Sequence, residues 1–258
     1  MEATIACMTA AIADVLGDNA VSVYLYGSAA LDDFRPGWSD IDLLALAHSP
    51  ITLPQTEKLL TLRQTIPLHY PIAQHIRACE GAVMPLDSLT KGRPGTAVYW
   101  GTSGQRITSD HTPDCFCLWQ LHHGGRLLHG PDVRNAFPIP TPSDLHTATA
   151  RHLRTILNHG RGSRSIYAFG WLLDTARGLY TVQHDAVIAK TAAGEWALAQ
   201  GLCPDEAALR LALAVRRDPT LIHDDGVLRQ AEGLTESIAG FAEALRRELL
   251  ARGVPIPD

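Results

Sequence analysis

The chain has 258 residues, 46% of them hydrophobic, with a mean hydropathy near zero and a net charge of −5, which is material for one large or two modest domains. No apolar run approaches the ~18 residues of a membrane span, no basic segment precedes a hydrophobic leader, and five scattered cysteines fit free thiols in a reducing compartment; a cytoplasmic monomer away from membranes is expected. Residues 1–130 carry 8 Lys/Arg against 12 Asp/Glu and residues 131–258 carry 14 against 15, so the basic stripe of a nucleic-acid binder is lacking and no nucleic-acid partner is expected.

Ile5, Met8, Ile12, Val15 and Leu16 recur at helical spacing and predict an amphipathic helix over 2–16. Val21, Val23 and Leu25 then alternate with Ser22, Tyr24 and Tyr26 in a strand that ends at Gly27-Ser28, where glycine permits positive φ. Such a turn offers backbone N–H groups to a phosphate. A second apolar strand runs through Ser39-Asp-Ile-Asp-Leu-Leu-Ala-Leu46. In a strand Asp40 and Asp42 share one face, and two carboxylates that close repel each other unless a cation sits between them. Mg²⁺ suits the pair, since it takes one or two carboxylates together with waters and substrate phosphates.

Gly27-Ser28, an eleven-residue spacer and Asp40-Ile-Asp42 in an apolar strand resemble the nucleotidyltransferase signature of the DNA polymerase β superfamily. Within it, Tyr26-Gly-Ser28 and Ser39-Asp-Ile-Asp-Leu-Leu44 are similar to the motifs of bacterial aminoglycoside 3''-adenylyltransferases, with a slightly longer spacer here. The resemblance implies an α+β fold: a polymerase β-like domain, with a mixed sheet and flanking helices over 1–135, then an all-α bundle over 143–258. It also implies transfer of AMP from Mg²⁺–ATP to a hydroxyl of a small molecule, an aminoglycoside or a related compound. Asp40 and Asp42 would be catalytic and hold Mg²⁺, and Gly27, Ser28 and Ser39 would bind the nucleotide.

Leu53 to Thr65 predicts a helix with Pro54 in its first turn. Pro71 to Met84 predicts a strand with Ile76, Ala78, Glu80, Ala82 and Met84 on one face, which leaves Glu80 on an apolar side where a bare carboxylate is costly. Arg77-Ala-Cys-Glu-Gly-Ala-Val83 resembles the strand that supplies the family's catalytic carboxylate. The resemblance implies that Glu80 is the general base for the acceptor hydroxyl; an ion pair with Arg77 or a surface position at a strand end are the other readings. Residues 85–113, rich in Gly, Pro, Ser and Thr, predict a loop with little regular structure, in which Trp100 lines a pocket or packs in the core.

A helix is expected over 112–123, capped by Thr112 or Asp114 and stopped at Gly124-Gly125. Asp114 falls close to a family position near the nucleotide, and an N-cap explains it equally well. Cys115, Cys117, His122 and His123 do not converge on one helical face, so a zinc site is not expected. An edge strand follows over 126–131, then Pro131, Pro138, Pro140 and Pro142 mark the domain boundary. Beyond it the pattern is helical over 143–159, 163–177, 185–200, 205–217 and 225–252.

Lys190 is one of three lysines and stands six residues before Trp196, as does a family lysine that reaches the nucleotide phosphates. The other reading is an exposed helix lysine. Relatives that modify streptomycin and spectinomycin carry an acidic segment where this chain has Leu157-Asn-His-Gly-Arg-Gly-Ser-Arg164. Arg161 and Arg164 there would repel a polycationic drug, so a less cationic or even anionic acceptor is expected. Adenylylation of a protein, as antitoxin nucleotidyltransferases perform, and a catalytically silent nucleotide-binding module remain as alternatives.

Overall fold

The computed structural model describes residues 1–70, 75–91, 95–101 and 104–256. The chain divides into two compact units, one made of Met1–Phe34 with Ser39–Ile139 and the other of Arg35–Trp38 with Pro140–Asp258.

The first unit is built on one mixed sheet of six strands: β1 (Ala20–Tyr26), β2 (Ile41–Ala47), β3 (Cys79–Pro85), β4 (Gly95–Gly101), β5 (Gly104–His111) and β6 (Arg126–His129). Their order is β5-β4-β3-β2-β1-β6. Only β2 and β3 run parallel, and a parallel pair requires a crossover connection. The connection includes the helix α3 (Leu53–His69), which follows α1 (Glu2–Leu16) and the single turn α2 (Gly27–Ala30). Thr52 and Gln55 close a capping box at the start of α3, satisfying donors that a helix end otherwise leaves unpaired.

Period-2 alternation gives the sheet two apolar faces. Ile41, Leu43, Ala45 and Val83 pack with Ile5, Met8 and Ile12 of α1 and Leu59 and Leu62 of α3. On the other face Tyr24, Leu44, Leu46, Ala82 and Met84 pack with α5 (Cys115–His123), the short α4 (Leu86–Thr90) and Phe137.

Two expectations are corrected in this unit. Over 85–113 the described residues form α4 and the β4–β5 hairpin rather than a loop, and residues 92–94 and 102–103 lie outside the described ones. Of the two readings of Trp100 the core one holds: it is fully buried, with its Nε1–H donated to the Leu59 carbonyl at 2.9 Å. The strand expected from Pro71 begins at Cys79, because Ile76–Ala78 form a 3₁₀ turn; residues 71–74 lie outside the described residues. Ile76 therefore joins the α1–α3 face, while Glu80, Ala82 and Met84 hold the opposite one.

The second unit is helical: α6 (Pro142–His159), α7 (Ile166–His184), α8 (Lys190–Ala199), α9 (Glu206–Arg217), α10 (Asp225–Glu232) and α11 (Thr235–Ala251). Phe169, Leu172, Leu173, Ala176 and Leu179 place α7 at the centre of its core. The single helix expected over 225–252 is broken at Gly233-Leu234. The loop before α7 runs against that break: Gly162 donates its N–H to Thr235 Oγ1 at 2.9 Å and Ser163 donates to the Ala231 carbonyl at 3.2 Å. No described helix is long and apolar enough to cross a membrane, and all five cysteines are free thiols.

Candidate active site

Strand register assembles the expected acidic residues. Tyr26 pairs across β1–β2 with Asp42, and Asp42 pairs across β2–β3 with Glu80. Residues paired in this way project from the same face, with strands about 4.8 Å apart. Asp42 and Glu80 therefore stand side by side, both half-buried, at the end of the face that carries Leu44, Ala82 and Tyr24. Asp40 lies just before β2 and is exposed, and Ser39 beside it is buried. Ser28 Oγ donates to the Asp40 carbonyl at 3.3 Å and links the two motifs across the spacer.

Gly27 has φ +69°, and a Cβ on it would stand 1.9 Å from Asp42 Oδ2. Only glycine admits both the backbone conformation and the close approach of the carboxylate. The Gly27 N–H is donated to Gln120 Oε1 at 3.1 Å. Gly81, the residue after Glu80, has φ +125°, and a Cβ there would stand 1.8 Å from the Leu43 carbonyl oxygen.

The carboxylates shape the titration of their neighbours. Burial pushes the Tyr26 hydroxyl well above its ordinary range; the Cys117 and Asp42 charges push the same way. Tyr99, on the same face through its pairing with Ala82, is raised by burial and then by Glu80, with Asp42 and Asp40 adding to it and Arg106 opposing them. Arg106 lies over the Tyr99 ring at 4.5 Å. Three carboxylates act on one phenol, so this end of the sheet carries a negative potential that favours a cation. Among the described residues no group of three or more His, Cys, Asp and Glu side chains could hold a metal ion. A cation here would rest on Asp40, Asp42 and substrate oxygens, a donor set that fits Mg²⁺.

Residues 12–75 match the family model described as a nucleotidyltransferase domain. The match contains Gly27, Ser28, Ser39, Asp40 and Asp42, the residues whose register and contacts have just been given. This segment is a nucleotidyltransferase domain. Glu80 lies beyond the matched span and joins the nucleotidyltransferase residues through β3. The fold as a whole is similar to the crystal structure of spectinomycin adenyltransferase AAD(9) from Enterococcus faecialis with ATP and spectinomycin. The TM-score is 0.67 and the identity 16%, over 95% of this chain and 99% of that one, a likeness of fold. No curated protein matches the sequence.

Lys190 opens α8 in the second unit. Its Nζ lies 3.0 and 3.1 Å from the two oxygens of Asp174 on α7. Arg177 reaches Asp174 at 2.9 Å, and His152 Nε2 is 3.9 Å away. Burial pushes the Asp174 carboxyl up, but Lys190, Arg177 and His152 together outweigh it and hold it at about 2. Burial lowers the Lys190 ammonium; Asp174 opposes this, while Arg177 and Arg216 reinforce it. Lys190 is thus no solvated surface lysine but a half-buried member of an ionic group around the buried Asp174. Arg216 lies over the Trp38 ring at 5.1 Å. Arg164 is bonded to Asp225 and lies 3.7 Å from Glu232, so acidic neighbours compensate its charge.

Asp114 is the N-cap of α5, accepting the Cys117 N–H at 2.7 Å. His122 bonds the Pro138 carbonyl at 3.2 Å and His123 stacks on Trp119 at 4.0 Å. Tyr26 was quoted only as part of a motif, without a role, and Tyr99, Arg106 and Gln120 were not singled out by sequence. Tyr26 had a signal, standing directly before Gly27-Ser28, whereas the others enter through long-range pairing alone.

Proposed function

We propose that this protein transfers AMP from Mg²⁺–ATP to a hydroxyl group of a small molecule, an aminoglycoside or a related compound. The observation that carries the reading is the register of Asp42 beside Glu80, which supports a cation-holding carboxylate and a proton acceptor as immediate neighbours. Asp40 and Asp42 would hold Mg²⁺, which when bound neutralises polyphosphate charge. Ser28 and Ser39 would meet the nucleotide at the two ends of the spacer, and Gly27 keeps the turn close to Asp42 through its bare Cα.

Glu80 would take the acceptor proton. As it does so, the acceptor oxygen bonds to the α-phosphorus, the bond from that phosphorus to the bridging oxygen breaks, and pyrophosphate leaves. Lys190 would add positive charge to polyphosphate binding. Its surroundings support this in sign, since the Arg177 and Arg216 charges act on Lys190 together with the Asp174 carboxylate that it shares with Arg177.

Pyrophosphate release from each nucleoside triphosphate with Mg²⁺ tests the reading, across an acceptor panel of aminoglycosides, spectinomycin, lincosamides and anionic metabolites. Acceptor-dependent release with ATP preferred is expected. Labelled AMP recovered on protein instead of on a small molecule would overturn the acceptor class.

A further inference from the structure

Helix α5 supplies no residue to the two signature motifs, yet it grips the first of them at two points. Cys117 and Gln120 lie three residues apart and so project from one face of the helix. Tyr26, the last residue of β1, shares a hydrogen bond with the Cys117 thiol. Gly27, the first residue of the turn, donates its N–H to Gln120 Oε1. Asp114 anchors the start of the same helix through the Cys117 N–H.

Gln120 is 6% exposed and sits among Cys117, Leu118 and Leu121, which are buried in the apolar layer beneath the sheet. Burying an amide costs free energy unless it is bonded. A methionine or leucine would fill that space without the cost, so packing alone does not account for a glutamine. The hydrogen bond to Gly27 does, and it acts where tolerance is smallest: the Gly27 Cα faces Asp42 Oδ2 so closely that no side chain fits between them.

We infer that Gln120 is a positioning residue for nucleotide binding: through the Gly27 N–H it fixes the orientation of the Gly27-Ser28 turn against Asp42. The inference rests on the proposed reading of that turn as the nucleotide site. It also assigns the turn's amides differently, with Gly27 bound to the protein and Ser28 left to face the nucleotide. A site held to within about half an ångström depends on such supporting bonds.

Three variants of the full chain test it: Gln120→Met, which keeps the volume and removes the oxygen; Gln120→Glu, which keeps the oxygen; and Leu121→Ala, which weakens the same helix without touching the turn. Calorimetry of Mg²⁺–ATP binding, hydrogen exchange at the Gly27 amide and thermal unfolding are measured on each. Gln120→Met should weaken Mg²⁺–ATP binding about tenfold, the effect of removing a partner from a buried donor, and should speed Gly27 exchange. Gln120→Glu should stay within about threefold of wild type, and Leu121→Ala should unfold at lower temperature with unchanged affinity. Native affinity in Gln120→Met would overturn the inference, as would a loss of affinity in Leu121→Ala as large as that in Gln120→Met. A wild-type chain that did not bind Mg²⁺–ATP would remove the nucleotide reading itself, a different and separately visible failure.

Discussion

Both units carry an aspartate among other charged groups, and they use it in opposite ways. Asp42 stands at the end of the sheet beside another carboxylate, Glu80, with Asp40 two residues before it. Asp174 is buried among Lys190, Arg177 and His152. Like charges drawn together destabilise the fold that holds them, whereas a compensated buried carboxylate becomes costly only when its partners are left alone. The first arrangement suits binding a cation and the second suits holding helices together, although the residue is the same.

The same substitution at the two positions is the strongest way to break this comparison. Asp42→Asn should abolish pyrophosphate release, since it removes a cation-holding charge while keeping the shape, and should leave the unfolding temperature undiminished. Turnover at the wild-type rate would remove the metal-assisted mechanism. Glu80→Gln comes next, with transfer reduced by roughly 10²–10⁴, the usual contribution of a general base. Mg²⁺–ATP affinity measured by calorimetry should stay near native; its loss would make Glu80 a cation ligand.

Asp174→Asn should do the reverse of Asp42→Asn. Leaving Lys190 and Arg177 without their carboxylate should cost about 3 kcal/mol of stability, read from urea unfolding. If Asp174→Asn unfolded like wild type, the group would not hold the helices. Lys190→Ala sharpens the comparison, because Lys190 belongs to the ionic group by position and to nucleotide binding by proposal. A Michaelis constant for ATP raised about tenfold, with only a small drop in unfolding temperature, is expected. An unmoved constant with a large drop would make the lysine purely structural.

The last test is one of pH. The Asp174 carboxyl titrates at about 2 in the folded chain, below its ordinary value near 3.9. Its stabilisation is therefore present above about pH 5 and is lost as pH falls through 4 toward 2, about 2 kcal/mol in all. Urea unfolding across that window should show this loss in wild type and a flatter profile in Asp174→Asn.

Much of the first unit was legible in the sequence, because its signals are local. Alternation in 21–26, the Gly27-Ser28 turn and two aspartates two residues apart need no distant information. Glu80 was within reach, since its strand is apolar around it. The β4–β5 hairpin was missed because its glycines and threonines read as punctuation, while its pairing with β3 and the burial of Trp100 are tertiary effects. The break in the last helix was missed because Gly233 costs little within a helical pattern, and what marks the break is the loop at Gly162 and Ser163 bonding across it. Gln120 could not be recognised at all: its partner lies 93 residues away, and glutamine has no signature of its own.

The spacer between the two motifs does more than separate them. Its residues Arg35–Trp38 belong to the second unit, while the chain on both sides belongs to the first. A gene cut after residue 139 would consequently yield neither half intact. The longer product would carry the Trp38 indole stripped of its helical surroundings, and the shorter one would lack the ring over which Arg216 lies. Attempts to exchange or express the halves separately should therefore carry the tetrapeptide along with Pro140–Asp258, the rest of its unit.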